Sequence, residues 1–196
     1  MLFDSAGNIY GTASGGGANG LGVVFELSPA GSSWTEAVLY SFAGGADGAN
    51  PANGLVMDHA GNLYGSTPSG GTAGTVFELM SSGSGWTEQV IYSDGGSTAG
   101  VTIDGAGNVY GVGLYPGRVF EVSPDGSGGW TSSVLYTFGP NYQGKYKYGA
   151  FPCGNLIFKD YGGLVGTAEA GGSEDWGVIY YLDSISLRMV CDRPQF

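Results

Sequence analysis

One short pattern, glycine–asparagine–aliphatic–tyrosine–glycine, recurs three times and constrains this chain more than any other feature. It reads GNIYG at Gly7–Gly11, GNLYG at Gly61–Gly65 and GNVYG at Gly107–Gly111. Each copy is followed by V-F-E-[LV], at Val24–Leu27, Val76–Leu79 and Val119–Val122. An aromatic run then closes each unit, at Trp34–Tyr40, Trp86–Tyr92 and Trp130–Tyr136. The order never changes, and Gly7 to Gly61 is 54 residues while Gly61 to Gly107 is 46. Periods of this length belong to propeller blades and stacked repeats, whose units cannot bury their apolar faces without neighbours.

Four short apolar runs can be marked in each unit. The first is Leu55–Met57, Val101–Ile103 and Leu156–Phe158, cut down to Leu2–Phe3 at the start. A D-x-x-G-N turn follows at Asp4–Asn8, Asp58–Asn62 and Asp104–Asn108. Aspartate at the first turn position accepts backbone N–H groups and glycine supplies positive φ, so this is a hairpin into the N-x-Y-G run. Glycine-rich loops at Ser14–Gly22, Ser69–Gly74 and Gly113–Gly117 vary in length and read as surface loops. The V-F-E and W-T runs are β-branched and aromatic, four to eight residues long, and lack a 3.6-residue period.

These runs predict an all-β fold, a β-propeller of four-stranded antiparallel blades. A β-solenoid needs fewer residues per coil, and a two-sheet sandwich does not require one four-strand unit to recur. One domain over 1–196 is expected, with repeats at about 1–45, 46–97, 98–140 and 141–196. The last is degenerate: Gly162–Gly166 (GGLVG) replaces G-N-x-Y-G, Lys159 takes the aspartate position, and Ser186–Cys191 stands in as a shortened fourth strand. About four blades follow, as a closed ring or as part of a larger one. The closed four-bladed form is preferred, because terminal repeats that finish an array are often modified. An open array would expose strand edges and invite self-association.

Composition narrows the function. The 40 glycines follow no three-residue period and accompany 13% aromatics, which excludes collagen and argues against disorder. Six Lys and Arg stand against 17 Asp and Glu, a formal charge of −11, so no nucleic-acid partner is expected. No run of 18 apolar residues is present, so no membrane insertion is expected. Met1 leads at once into Leu2-Phe3-Asp4, which reads as strand rather than signal peptide, so the chain is read as starting inside a repeat. Two cysteines, Cys153 and Cys191, either form one bridge holding the C-terminal tail or stay as small buried thiols.

The string D-x-A-G-N-[IVL]-Y-G, a glycine loop, G-x-V-F-E-[LV] and W-T-E-x-V-[LI]-Y closely resembles the GloVer tandem repeat. That repeat occurs in bacterial "choice-of-anchor" proteins, generally predicted to be exported and surface-attached. The linker Gly44–Pro51 (GGADGANP) matches the family's G-G-x-D-G-x-N-P. The likeness is strong over about 1–138 and weaker over 150–182. It implies a propeller-like architecture and an extracellular or cell-surface setting, and it carries over no catalytic residue.

Most polar residues of the repeat have a structural reading. His59 is the only histidine and sits in a turn, which removes His-based triads. Asp4, Asp58 and Asp104, with Asn8, Asn62 and Asn108, offer one carboxylate per site, too few for calcium, so turn capping is expected and no cofactor or metal site. Glu26, Glu78 and Glu121, with Glu36 and Glu88, could hydrolyse glycosides as pairs. Their recurrence predicts a solvated strand face or edge protection instead. Trp34, Trp86 and Trp130, with Tyr40, Tyr92 and Tyr136, are expected to pack between blades rather than on sugar rings.

Unrepeated residues mark the ligand-binding candidates. Tyr142, Lys145, Tyr146, Lys147 and Tyr148 replace the D-G-x-N-P linker, and Trp176 lies on a loop of the same repeat. The expected function is a non-enzymatic, exported repeat module that binds protein or glycan or serves as a scaffold. Two alternatives stay open: a carbohydrate-active enzyme using rim or channel carboxylates, and a fragment of a larger propeller.

Overall fold

Short apolar runs separated by glycine turns can bury themselves only by pairing edge to edge and stacking face to face. The computed structural model describes residues 1–83, 85–93, 98–114, 117–139, 149–159, 163–172, 175–183 and 189–192, with backbone alone at 98 and 189–192. Blade one contains β1 (Leu2–Phe3), β2 (Ile9–Ala13), β3 (Val23–Ala30) and β4 (Ser33–Ser41). Blade two contains β5 (Val56–Met57), β6 (Leu63–Thr67), β7 (Thr75–Ser82) and β8 (Gly85–Tyr92). Blade three contains β9 (Thr98–Ile103), β10 (Val109–Gly113), β11 (Arg118–Pro124) and β12 (Trp130–Thr137). Blade four contains β13 (Ala150–Lys159), β14 (Gly163–Ala170), β15 (Val178–Leu182) and β16 (Met189–Asp192). Each blade is one sheet in simple up-and-down order.

The register is the same in blades one to three. Gly11, Gly65 and Gly111 stand opposite Phe25, Phe77 and Phe120. Each phenylalanine ring lies over its glycine; a Cβ on Gly65 would come within 2.5 Å of the Phe77 ring. Each outer strand carries a bulge at one place, between Val24 and Phe25, between Val76 and Phe77, and between Val119 and Phe120 of the facing strand. The extra residue is Leu39, Ile91 or Leu135. It breaks the period-two alternation, so Val38 and Tyr40 project to opposite faces. Tyr40, Tyr92 and Tyr136 are thereby turned toward the next blade.

Three apolar clusters bind the blades in chain order. One joins Tyr10, Val24 and Phe42 to Leu63, Phe77 and Leu79, across blades one and two. A second joins Tyr64, Val76 and Tyr92 to Val109, Phe120 and Val122. The third joins Val112, Val119 and Phe138 to Leu164, Tyr180 and Leu182. Among the described residues no such cluster, and no strand packing of comparable extent, joins blade four to blade one. Among the described residues the array is therefore propeller-like with three apolar junctions. Trp86 and Trp130 pack against these clusters as expected, whereas Trp34, with no blade before it, is 51% exposed.

The degenerate repeat keeps the architecture. Tyr180 takes the phenylalanine position and is fully buried over Gly166. The shortened last strand is present as β16, slightly later than expected. The helical content described is one 3-10 turn at Gly45–Asp47, and no described helix is long and apolar enough to cross a membrane.

Candidate functional site

The up-and-down order sends the D-x-x-G-N turns to one rim, and the glycine-rich loops and inter-blade linkers to the other. On the first rim the aspartates build the turns. Asp4 Oδ1 accepts the N–H groups of Ala6 at 2.8 Å and Asn8 at 2.9 Å, and its Oδ2 accepts Asn8 Nδ2 at 2.9 Å. Asp58 and Asp104 repeat this set within 0.1 Å. Gly7, Gly61 and Gly107 close the turns at φ +86°, +87° and +87°, a region that side chains with a Cβ avoid. Turn capping was the expected role. Burial opposes ionisation of Asp4 and Asp104, but the donors from Asn, Ala and Tyr outweigh it and hold both carboxyls below their ordinary value.

The glutamates of V-F-E depart from the expected solvated face. Parity places Glu26, Glu78 and Glu121 opposite Tyr10, Tyr64 and Tyr110, on the face that meets the next blade. Tyr10 Oη stands 3.2 Å from Asp4 Oδ2 and 3.3 Å from Glu26 Oε1, and blade three has the same distances to Asp104 and Glu121. In blade two they are 3.1 Å to Asp58 and 2.8 Å to Glu78. Glu78 is 6% exposed. Burial and the two flanking carboxylates push the Tyr10 phenol up to about 12, and those of Tyr64 and Tyr110 higher still. These tyrosines are proton donors to a carboxylate pair, locked inside an interface. The signal was legible: pairing Gly65 with Phe77 obliges Tyr64 and Glu78 to share a face.

Blade four replaces this network. Lys159 sits at the aspartate position, Val165 at the tyrosine and Tyr181 at the glutamate. Lys159 Nζ lies 5.2 Å from the Tyr181 ring centroid, so a cation–π contact stands where the other blades have an acidic triad.

Between the turns of blades two and three lies an open groove of about 430 Å³, lined by residues including Met57, Asp58, His59, Ile103 and Asp104. His59 is exposed on its lip, as its turn position suggests. The groove has the size for a small ligand, but its two carboxylates are already engaged in their turns.

A second carboxyl pair was not anticipated. Glu88 faces blade one, where Tyr40 donates to Asp47 Oδ1 at 2.6 Å and the Ala43 N–H donates to Asp47 Oδ2. Glu88 Oε1 is enclosed and, as a carboxylate, has no donor facing it. Burial, then the Asp47 charge beside it, pushes the Glu88 carboxyl up to about 7, and a protonated Glu88 that donates to Asp47 satisfies both groups. Neither residue signals this alone, because the linker is brought onto β8 only by stacking of the blades.

The second rim holds Trp176, one of the binding candidates. Linker and loop are stitched together there: the Asn50 N–H donates to Leu21 O at 2.8 Å, and Ala49 bridges to Ser69. Trp176 is 90% exposed. Its loop is pinned at the base, where the Gly171 N–H donates to Asp175 Oδ1 at 2.7 Å and the Gly177 N–H to Gly171 O at 3.2 Å. Asp175 itself adopts φ +61°. Tyr142, Lys145, Tyr146, Lys147 and Tyr148 lie outside the described residues.

Cys153 is a free thiol, half-buried, with Thr167 Oγ1 3.6 Å from its sulfur. It lies on β13, and Cys191 lies on β16, at opposite edges of one four-stranded sheet. Three strand spacings, about 14 Å, separate them, twice the reach of a disulfide. The sheet does not accommodate a bridge between these two residues.

Four-stranded sheets stacked in sequence order, three of them repeating one turn and one polar network, define a propeller-like tandem-repeat protein. The model of the Gloeobacter/Verrucomicrobia repeat family matches residues 1–180, and the chain belongs to that family. A comparison with curated proteins finds no match.

Proposed function

We propose that the chain is a non-enzymatic, exported cell-surface module that holds a protein or glycan ligand on the rim formed by its glycine-rich loops and linkers. The observation that carries this reading is Trp176: a large indole held almost wholly in solvent, on a loop whose ends are hydrogen-bonded shut. Exposed tryptophans on pinned loops serve as anchors for sugar rings and protein pockets, since little entropy is lost on binding. The export rests on the resemblance to surface-attached bacterial repeat proteins. The turn aspartates and the V-F-E glutamates support a structural role, because each is occupied by its own turn, tyrosine or serine.

The test is tryptophan fluorescence during titration with soluble polysaccharides and surface proteins. A quench or shift that Trp176→Ala abolishes supports the reading, and binding unchanged in that variant overturns Trp176 as the anchor. One observation favours the carbohydrate-active alternative: Glu88 and Asp47 form a carboxyl pair between blades one and two, and burial with the neighbouring Asp47 raises the Glu88 carboxyl to about 7, the direction a general acid needs. Release of reducing sugar that Glu88→Gln abolishes would establish it.

A further inference from the structure

We propose that Asn19 is a site of self-modification: its side-chain amide closes onto the Gly20 backbone nitrogen, and the aspartate or isoaspartate that results releases the Ser14–Gly22 loop from the second rim. The chain has two Asn-Gly steps, Asn19-Gly20 and Asn53-Gly54. Glycine after asparagine leaves the attacking nitrogen unshielded, because no Cβ stands beside it. Both steps meet that requirement, so the sequence does not choose between them. The structure does.

Asn53 is held from two sides. Its carbonyl accepts the Thr12 hydroxyl of blade one at 2.8 Å, and its Nδ2 donates to Ser66 Oγ at 3.1 Å. Ser66 is 1% exposed and donates in turn to Ala99 O of blade three at 2.6 Å. Turning the Asn53 amide toward Gly54 would break a chain of bonds that crosses from blade one to blade three. Asn19 is exposed, and its Nδ2 donates to Phe42 O at 3.1 Å. The space where a side chain on Gly20 would stand is open. The Gly20 N–H donates to Gly17 O at 3.3 Å, beyond the usual range, so the attacking nitrogen is weakly held.

The loop is also longer where Asn19 sits. Ala13 pairs with Val23 and Thr67 with Thr75, which leaves nine residues between the strands in blade one and seven in blade two. The shorter loop of blade two contains no asparagine, so the anchor is not part of the repeat. What it holds matters to the junction. Phe42 is wholly buried among the apolar residues that join blades one and two. Leu21 packs against the same cluster, and its carbonyl accepts the Asn50 N–H of the linker at 2.8 Å.

In the reaction the Gly20 nitrogen loses its proton and bonds to Asn19 Cγ, and the Cγ–Nδ2 bond breaks as that nitrogen leaves as ammonia. Water then opens the cyclic imide at either carbonyl. One opening gives aspartate; the other gives isoaspartate, with an extra main-chain carbon. Either product sets a carboxylate where the donor stood, and two acceptors cannot bond, so the tie to Phe42 O is lost.

Incubating the whole chain in mildly alkaline buffer, with peptide mass spectrometry over time, tests the site. Conversion at position 19 should run at least about tenfold faster than at position 53 in the folded chain, and at similar rates at both in denaturant. Asn19→Gln keeps an amide donor on a side chain that closes such a ring far more slowly, so it should stay unmodified. Asn19→Asp should speed hydrogen exchange of the Asn50 amide at least about threefold relative to Asn19→Gln. Position 53 converting as fast as position 19 in the folded chain overturns the proposal, as does a position 19 that converts only in denaturant. Equal exchange at Asn50 in the two variants overturns the release of the loop.

Discussion

Tyr64 reaches Glu78 at 2.8 Å across neighbouring strands, whereas the matching pairs Tyr10–Glu26 and Tyr110–Glu121 stand at 3.3 Å. The difference follows from the environment. Ser28 and Ser123 each donate to their glutamate at 3.1 Å, while blade two has Met80 at that position and leaves Glu78 to Tyr64.

Tyr64→Phe therefore strands a buried carboxylate and should cost about 1–3 kcal/mol, more than Tyr10→Phe at roughly 0.5–1.5 kcal/mol. Urea unfolding of both variants gives the comparison. The reverse ranking would mean that Ser28 and Ser123 do not share the load.

Glu88 makes stability depend on pH from the other direction to most carboxylates. Its folded value near 7 lies above the ordinary 4.5, so the folded state keeps a proton that the unfolded chain releases. Stability then falls as pH rises from 4.5 through 7. The interval corresponds to about 3 kcal/mol for a wholly buried group, and partial exposure of Glu88 screens it to roughly 1–2 kcal/mol. Glu88→Gln keeps a donor toward Asp47 and should flatten this slope, making the variant the more stable protein at pH 8. Parallel thermal unfolding profiles for the two proteins from pH 4.5 to 8 would refute the shared proton.

Asp104 acts at the acid end. Its carboxyl is held below the ordinary 3.8, so its contribution is complete above that value and disappears as pH falls below it. Asp104→Asn should lose roughly 1–2 kcal/mol at pH 6 and very little near pH 2, since it replaces an acceptor of charge-assisted bonds. An equal loss at both pH values would show that the carboxylate charge plays no part.

Gly65→Ala places a methyl group 2.5 Å from the Phe77 ring and 2.8 Å from Leu55, both buried. Roughly 1–3 kcal/mol should be lost through overpacking. Gly11→Ala meets Phe25 at 2.6 Å, but that ring borders solvent and can move aside, so the cost should be smaller. Equal costs in chemical denaturation would show that the Phe25 ring is held as firmly as that of Phe77.

The sequence determined the blades. Asp4, Asp58 and Asp104 with their following glycines fix three hairpins, because both turn acceptor and positive-φ residue are local to five positions. The pairing of Gly65 with Phe77 follows from loop lengths and from the need to fill one face, and with it came the four-stranded unit and the family. The joining of Glu88 to Asp47 and the burial of Glu78 belong to the tertiary structure alone. Each depends on which blade lies beside which, and stacking contacts connect residues about forty or more positions apart through surfaces that no local pattern records. Lys159 shows the division: its departure from the repeat is visible in the letters, but its place over the Tyr181 ring exists only once β13, β14 and β15 have paired.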